Sequence, residues 1–189
     1  MLKRSFDLCG ACILLMLSLP VITLIALAIV LTSDGPVIFR QRRLGLKGIP
    51  FTIFKFRTLV HDYSGPFKFV TADDPRVTPI GRFLRSSHLD ELPQLVNVLR
   101  GEMSLVGPRP HSLEHFAAMA AVEPSYIQRL AVKPGLTGLA QIKGPKVLDP
   151  ETGCVAFELD TEYMKRSSLW SDIRILCRTI PEVFSHRSF

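Results

Sequence analysis

The first thing missing from this chain is charge. From residue 8 to residue 33 there is not one Asp, Glu, Lys or Arg, although the rest of the sequence is rich in Lys and Arg. Cysteine is also sparse: four in 189 residues do not make a disulfide framework. Cys9 and Cys12 have the spacing of half a zinc or redox motif, but no second CxxC completes it, so they read as small residues of an apolar helix. There is no internal repeat, no low-complexity tract, no linker long enough to separate a pair of soluble domains, and no RNP-like or helix-turn-helix pattern. Nucleic acid is therefore not an expected partner.

The uncharged run, "LCGACILLMLSLPVITLIALAIVLT", is long enough to cross a bilayer as a helix. It exceeds a typical signal-peptide core, and no small-x-small cleavage site follows it. Pro20 near its middle removes a backbone donor and predicts a kink, with Ser18 close enough to satisfy freed groups. Lys3 and Arg4 precede the run, while Arg40, Arg42, Arg43 and Lys47 follow it. The positive-inside rule draws both flanks to the cytoplasmic face. A helix-break-helix entering and leaving by one leaflet meets both facts, and a tilted span stays open beside it.

Lys plus Arg exceed Asp plus Glu by six, a balance suited to phosphate-bearing partners or an anionic membrane surface. Beyond the apolar run, residues 37–39 and "FTIFKF" read as short strands, and 61–79 as a polar loop. Helical periodicity covers about 80–100, 111–131 and 168–184. In the last, Leu169, Trp170, Ile173, Leu176, Ile180 and Val183 make a broad face for a core or a headgroup layer, with Arg174 and Arg178 able to snorkel. The fold class expected is α+β and mostly helical: a membrane segment over residues 1–34 carrying one domain over 35–189.

The chemistry concentrates in "RSSHLDELPQL". Asp90 and Glu91 have a bland reading, a capping box in which Asp90 bonds back to the Ser87 backbone. They also have a chemical one, since an Asp can attack phosphorus or ligate Mg²⁺. Lys55 and Arg57 alternate around Phe56 and so share a strand face. Arg85, Arg109 in "GPRP" and Lys133 before "PGLTG" add cations that offset a nucleotide's charge. The glycines of "VGPRP" and "KPGLTG" let backbone approach a ligand closely. His111 to His115 fits H-x-x-E-H, but no further ligand cluster stands out to make it a zinc site.

In order, "KRSFD", "GPVIFRQRRLG", "FKFRT", "DDPRVTPIGRFLR", "LDELPQLVNVLRGEMSLVGPRP", "VKPGLTGLAQIKG" and "LDTEYMKRSSLWSDIRIL" resemble the bacterial sugar transferases, the monotopic phosphoglycosyl transferases, nearly end to end. The resemblance implies a re-entrant membrane helix broken at Pro20, amphipathic interfacial helices, and residence on the cytoplasmic face of the bacterial inner membrane. It implies transfer of a sugar phosphate from a UDP-sugar to polyprenol phosphate with release of UMP. Asp90 would be the nucleophile and a Mg²⁺ ligand, with Glu91 assisting the metal or a proton. Arg85, Arg109, Lys55 and Arg57 would lie near phosphates, and Thr137 and Gln141 in the "PGLTGLAQ" loop would face nucleotide or sugar. The sugar, the glycan and any homo-oligomer stay open.

Three positions depart from the family pattern. Leu19 stands where Ser often precedes the membrane Pro, His88 where a small hydroxyl residue is usual, and Leu59 where Met is frequent. The match begins at the membrane segment, so the extra N-terminal helices of some relatives are not expected.

Overall fold

The computed structural model describes residues 2–60, 74–145 and 150–184; the expected polar loop lies outside them over 61–73, as does the side chain of Val183. The charge-free run becomes one 31-residue helix, α1 (Leu2–Thr32), about 46 Å long at 1.5 Å per residue. It is helical throughout, Pro20 included, so the break expected there is not a break in secondary structure. Ser18 Oγ donates to the Leu14 carbonyl at 2.7 Å, and Thr23 Oγ1 to that of Leu19 at 2.9 Å.

The two ends of α1 are docked on the domain and its middle is not. Near the start, Arg4 donates to the Val98 and Leu99 carbonyls at 2.7 and 2.9 Å, satisfying the open end of another helix. Lys3 meets Asp172 at 2.5 Å. The buried Asp7 carboxylate accepts from Ser104 Oγ and the Leu105 backbone N–H. Near the far end, Ile25 and Ile29 pack with Phe56 and Leu84. Between these contacts Ile13, Leu14, Met16, Leu17, Leu19, Val21 and Leu24 are exposed.

A β-hairpin follows, β1 (Ile38–Leu44) antiparallel to β2 (Pro50–Phe56), longer than the two short pieces expected. Its register sets Phe39 opposite Lys55, Gln41 opposite Ile53 and Arg43 opposite Phe51, so these six share one face. The first periodic stretch resolves into α2 (Pro79–Ser86), a 3₁₀ helix (Leu89–Gln94) and α3 (Leu95–Arg100). Thr78 caps α2, accepting from the Gly81 N–H, with Pro79 in the first turn. Gly101 closes α3 at φ 80°, a left-handed value that glycine adopts without strain.

A short parallel pair joins β3 (Ser104–Val106) to β4 (Gly135–Thr137). The second periodic stretch becomes α4 (Leu113–Val122) and a 3₁₀ segment (Pro124–Ala131). Then come α5 (Leu139–Lys143), α6 (Pro150–Arg166) and α7 (Leu169–Phe184). Periodicity had not marked α5 or α6. On α7 the apolar residues serve two surroundings: Ile175 and Leu176 join the main core, whereas Trp170 and Ile180 face outward and Arg174 lies 5.4 Å from the Trp170 ring.

That core gathers Ala11, Phe51, Ile53, Leu95, Val98, Met103, Leu105, Tyr163 and Ile175, so it draws on α1, the hairpin, α3, β3, α6 and α7 together. The result, among the described residues, is a mostly helical α+β architecture with two small sheets.

Candidate active site

The inward face of β2 leads to the carboxylates. Phe51 and Ile53 point into the core, and two residues on, Lys55 emerges on that same face. Its Nζ lies 2.6 Å from Glu91 Oε1 and 3.8 Å from Asp90 Oδ2. The carboxylates are carried by the 3₁₀ helix and both are buried. The capping box does not form. Ser87 Oγ donates backward to the Phe83 and Leu84 carbonyls of α2, and His88 turns the chain at φ 56°. A non-glycine residue at that φ is strained, and the strain sits two residues before Asp90.

Arg109 closes the other side, its guanidinium donating to Glu91 Oε1 at 2.6 Å and to Oε2 at 3.3 Å. It sits in Pro108-Arg109-Pro110 just past β3, and the backbone around it is held from behind. Gly107 N–H donates to the Thr137 carbonyl and Gly135 N–H to that of Pro108. A Cβ on Gly135 would fall 2.0 Å from the Gly107 nitrogen, so these glycines bring backbone against backbone, not against a ligand. Arg129 donates to the Arg109 carbonyl at 2.9 Å while paired with Asp160 at 2.7 Å, both buried. Its other amino group bonds the Tyr126 hydroxyl.

The two carboxyls are driven apart in acidity. Burial raises Glu91, but Arg109 and Lys55 outweigh it and hold the group well below the usual carboxylate range. Burial also raises Asp90, and Glu91's charge adds to that; the more distant Lys55 and Arg109 do not cancel it, so Asp90 ends above its ordinary value. Arg109 is raised by Glu91 against the effect of burial. Arg85 is lowered by burial, with Asp90 and Asp74 as its main opposing charges.

Of the residues singled out from sequence, Asp90, Glu91, Lys55 and Arg109 meet, and Arg85 lies within electrostatic reach. Arg57 does not join them. Its guanidinium holds the Ser33 carbonyl and hydroxyl at 2.8 Å and the Asp34 carbonyl, fastening the exit of α1. Lys55 and Arg57 diverge because β2 ends at Phe56. Thr137 bonds Thr179 of α7 at 2.8 Å, and Gln141 donates to the Leu136 carbonyl, both contacts within the domain.

His111 is buried, with Nδ1 2.6 Å from the Tyr126 hydroxyl and 3.2 Å from Arg129, which can only donate. That nitrogen is thus an acceptor, and burial with Arg129 keeps the ring's pKa well below the ordinary value. Sequence reasoning passed over Arg129 and Asp160, which hold the Arg109 backbone, and gave Arg43 no role beyond a flanking positive charge. Counting back from the hairpin turn would have put Arg43 on the Lys55 face; nothing local marks the other two.

Among the described residues no group of three His, Cys, Asp or Glu side chains forms a metal cage. Mg²⁺ needs less: one or two carboxylates, the rest of its shell coming from water and substrate phosphates. Asp90 fits that need. Its nearest cation is 3.8 Å away, against 2.6 Å for Glu91, so it is the less compensated carboxylate.

The family model described as bacterial sugar transferase matches residues 1–186. The chain is 45% identical to a UDP-glucose:undecaprenyl-phosphate glucose-1-phosphate transferase of Caulobacter vibrioides, covering 97% of this chain and 70% of that one. It is 43% identical to a protein of the same description from Escherichia coli, over 100% of this chain and 41% of the relative. It is 36% identical to a UDP-N-acetylgalactosamine-undecaprenyl-phosphate N-acetylgalactosaminephosphotransferase of Aeromonas hydrophila, over 97% of this chain and 44% of that one. The chain thus spans less than half the length of the last two. With the family model running through the hairpin, the acidic dyad and the Pro-Arg-Pro turn alike, the chain belongs to the bacterial sugar transferase family.

Proposed function

We propose that this chain moves a sugar 1-phosphate from a UDP-sugar to polyprenol phosphate at the cytoplasmic face of the inner membrane, releasing UMP. The observation that carries the reading is the buried pair Asp90–Glu91, in which one carboxylate is clamped by Lys55 and Arg109 and the other is left less compensated. That asymmetry suits two roles. Glu91 holds the two cations in position and stays ionised; with its oxygens so engaged it is a poor proton carrier.

Asp90 is the nucleophile. Its carboxylate oxygen attacks the sugar-bearing phosphorus, the bond from that phosphorus to the bridging oxygen breaks, and UMP leaves with the electron pair. A phosphate oxygen of polyprenol phosphate then attacks the same phosphorus and frees the Asp90 carboxylate. Lys55 and Arg109 offset the charge that builds where anion meets anion. Mg²⁺ held by Asp90 and the phosphates would supply further charge neutralisation.

The docking of α1 supports a re-entrant course. Both its ends are bound by one domain, through Arg4 and Asp7 at one end and Ile29, Ser33 and Asp34 at the other, and a domain on one face of a bilayer cannot hold both ends of a span. The exposed apolar middle is then the portion submerged. With the four native cysteines replaced by serine, cysteines introduced as Leu2→Cys and Pro36→Cys should react with an impermeant thiol reagent from the same side; opposite sides would mean a span.

The test of the reaction uses purified protein in nanodiscs with Mg²⁺, polyprenol phosphate and a panel of UDP-sugars, UDP-glucose first. UMP release and a sugar-phosphate mass increment on Asp90, both lost in Asp90→Asn, are expected. Turnover with no adduct trapped at any donor concentration would refute the covalent route.

A further inference from the structure

We propose that Arg43 is a third substrate cation of this site, binding a phosphate group alongside Lys55 and Arg109. It deepens the reading above and rests on it.

The hairpin register puts Arg43 on the Lys55 face, whereas Arg40 and Arg42 alternate to the other side and are exposed. The Pro-Arg-Pro segment then runs along the edge of β1. Leu44 N–H donates to the His111 carbonyl, Arg43 bridges to Ser112, and Arg43 donates to the Pro110 carbonyl at 3.3 Å. Its other amino group donates to Gln41 Oε1 at 2.6 Å, which aims the fork.

What Arg43 lacks is an anion. Arg129 has Asp160, Arg109 has Glu91, and Lys55 has both members of the dyad, but among the described residues no carboxylate comes within ion-pairing distance of Arg43. Its Nε is buried with no hydrogen-bond partner. Around it stand the like charge of Arg109 and the attractive but weaker influences of Glu91 and Glu114. Burial and Arg109 together lower its pKa to about 10. Lys55 and Arg109 already balance Asp90 and Glu91, so Arg43 is a partly dehydrated surplus cation with donors to spare. A phosphate oxygen supplies both the missing acceptor and the missing charge. The phosphate is that of the nucleotide donor or that of the lipid acceptor; the chemistry of recognition is the same.

The full chain in nanodiscs is titrated with inorganic pyrophosphate by calorimetry, as wild type, Arg43→Gln, Arg43→Lys and Arg42→Gln. Loss of a charge-assisted bond should weaken pyrophosphate binding about 10- to 100-fold in Arg43→Gln, and less in Arg43→Lys, with Arg42→Gln matching wild type. The thermal midpoint without ligand should not fall, because removing a surplus half-buried cation relieves repulsion. Unchanged pyrophosphate affinity in Arg43→Gln, with or without a lower midpoint, would make Arg43 only a brace for Pro110 and overturn the proposal. Turnover assigns the phosphate: a raised KM for the UDP-sugar places it on the donor, a raised KM for polyprenol phosphate on the acceptor, and no change in either KM also overturns it. Arg43-dependent pyrophosphate binding with no UMP from any donor would leave this site standing and remove the proposed reaction instead.

Discussion

Replacing Lys55 by Met tests the electrostatics of the site most directly. The ammonium is 3.8 Å from the Asp90 carboxylate, and at an effective dielectric of about 20 that separation corresponds to about 4 kcal/mol. Partial exposure of the lysine head screens some of this, so the expected loss in kcat/KM at neutral pH is about 30- to 1,000-fold. The pH profile carries the sign. In the proposed reaction Asp90 acts as carboxylate; its pKa is already raised by burial, and Lys55 is the strongest influence lowering it. Without Lys55 the pKa climbs further and the acid limb moves to higher pH, so the deficit is largest in acid and narrows in base. The assay is UMP release from pH 5 to pH 9 under subsaturating donor, with circular dichroism to confirm folding. Lys55→Arg, which keeps the charge, should recover some of the rate. A Lys55→Met enzyme within threefold of wild type and with the same acid limb would refute the reasoning.

Glu91→Gln should move that limb the other way. It removes a neighbouring negative charge and releases Lys55 and Arg109, so Asp90 ionises at lower pH even as the rate falls; an upward shift would contradict the observed pairing. Arg129→Met strands Asp160 in the interior. Breaking a buried pair costs about 3–5 kcal/mol, or about 10 °C in thermal midpoint for a chain this size, to be read by scanning calorimetry. Gly135→Ala should leave little folded protein, measured as protease resistance, because its Cβ would meet the Gly107 backbone.

The readable regions of this molecule were those where one physical demand dominates. An uncharged run of 26 residues has only a helix open to it in a bilayer, and α1 is that helix. The alternation in "FTIFKF" marked β2, and Lys55 followed from it. The dyad was visible as two carboxylates in apolar company. Other features depended on contacts distant in sequence. Arg57 looked like a partner of Lys55 because strand alternation was extended one residue beyond β2, where tertiary contact with Ser33 takes over. The periodic stretch 80–100 broke at His88, a residue that does not advertise a left-handed turn as glycine would. The glycines of "VGPRP" and "KPGLTG" signalled close approach correctly, but not what approached. Arg129 and Asp160 lie 31 residues apart, and no local pattern joins them.

The anchoring of α1 has a consequence for how the enzyme can be handled. Ala11 belongs to the main core, and Ile25 and Ile29 form a second cluster with Phe56, which immediately follows Lys55 on β2. Trimming the chain to begin at the hairpin would therefore not release a water-soluble catalyst. It would strip one wall from both of these clusters and leave the Val98 and Leu99 carbonyls without Arg4. Extraction, folding and activity become a single property, and a detergent that competes for α1 should inactivate the enzyme by loosening the strand that carries Lys55, well before it touches a substrate.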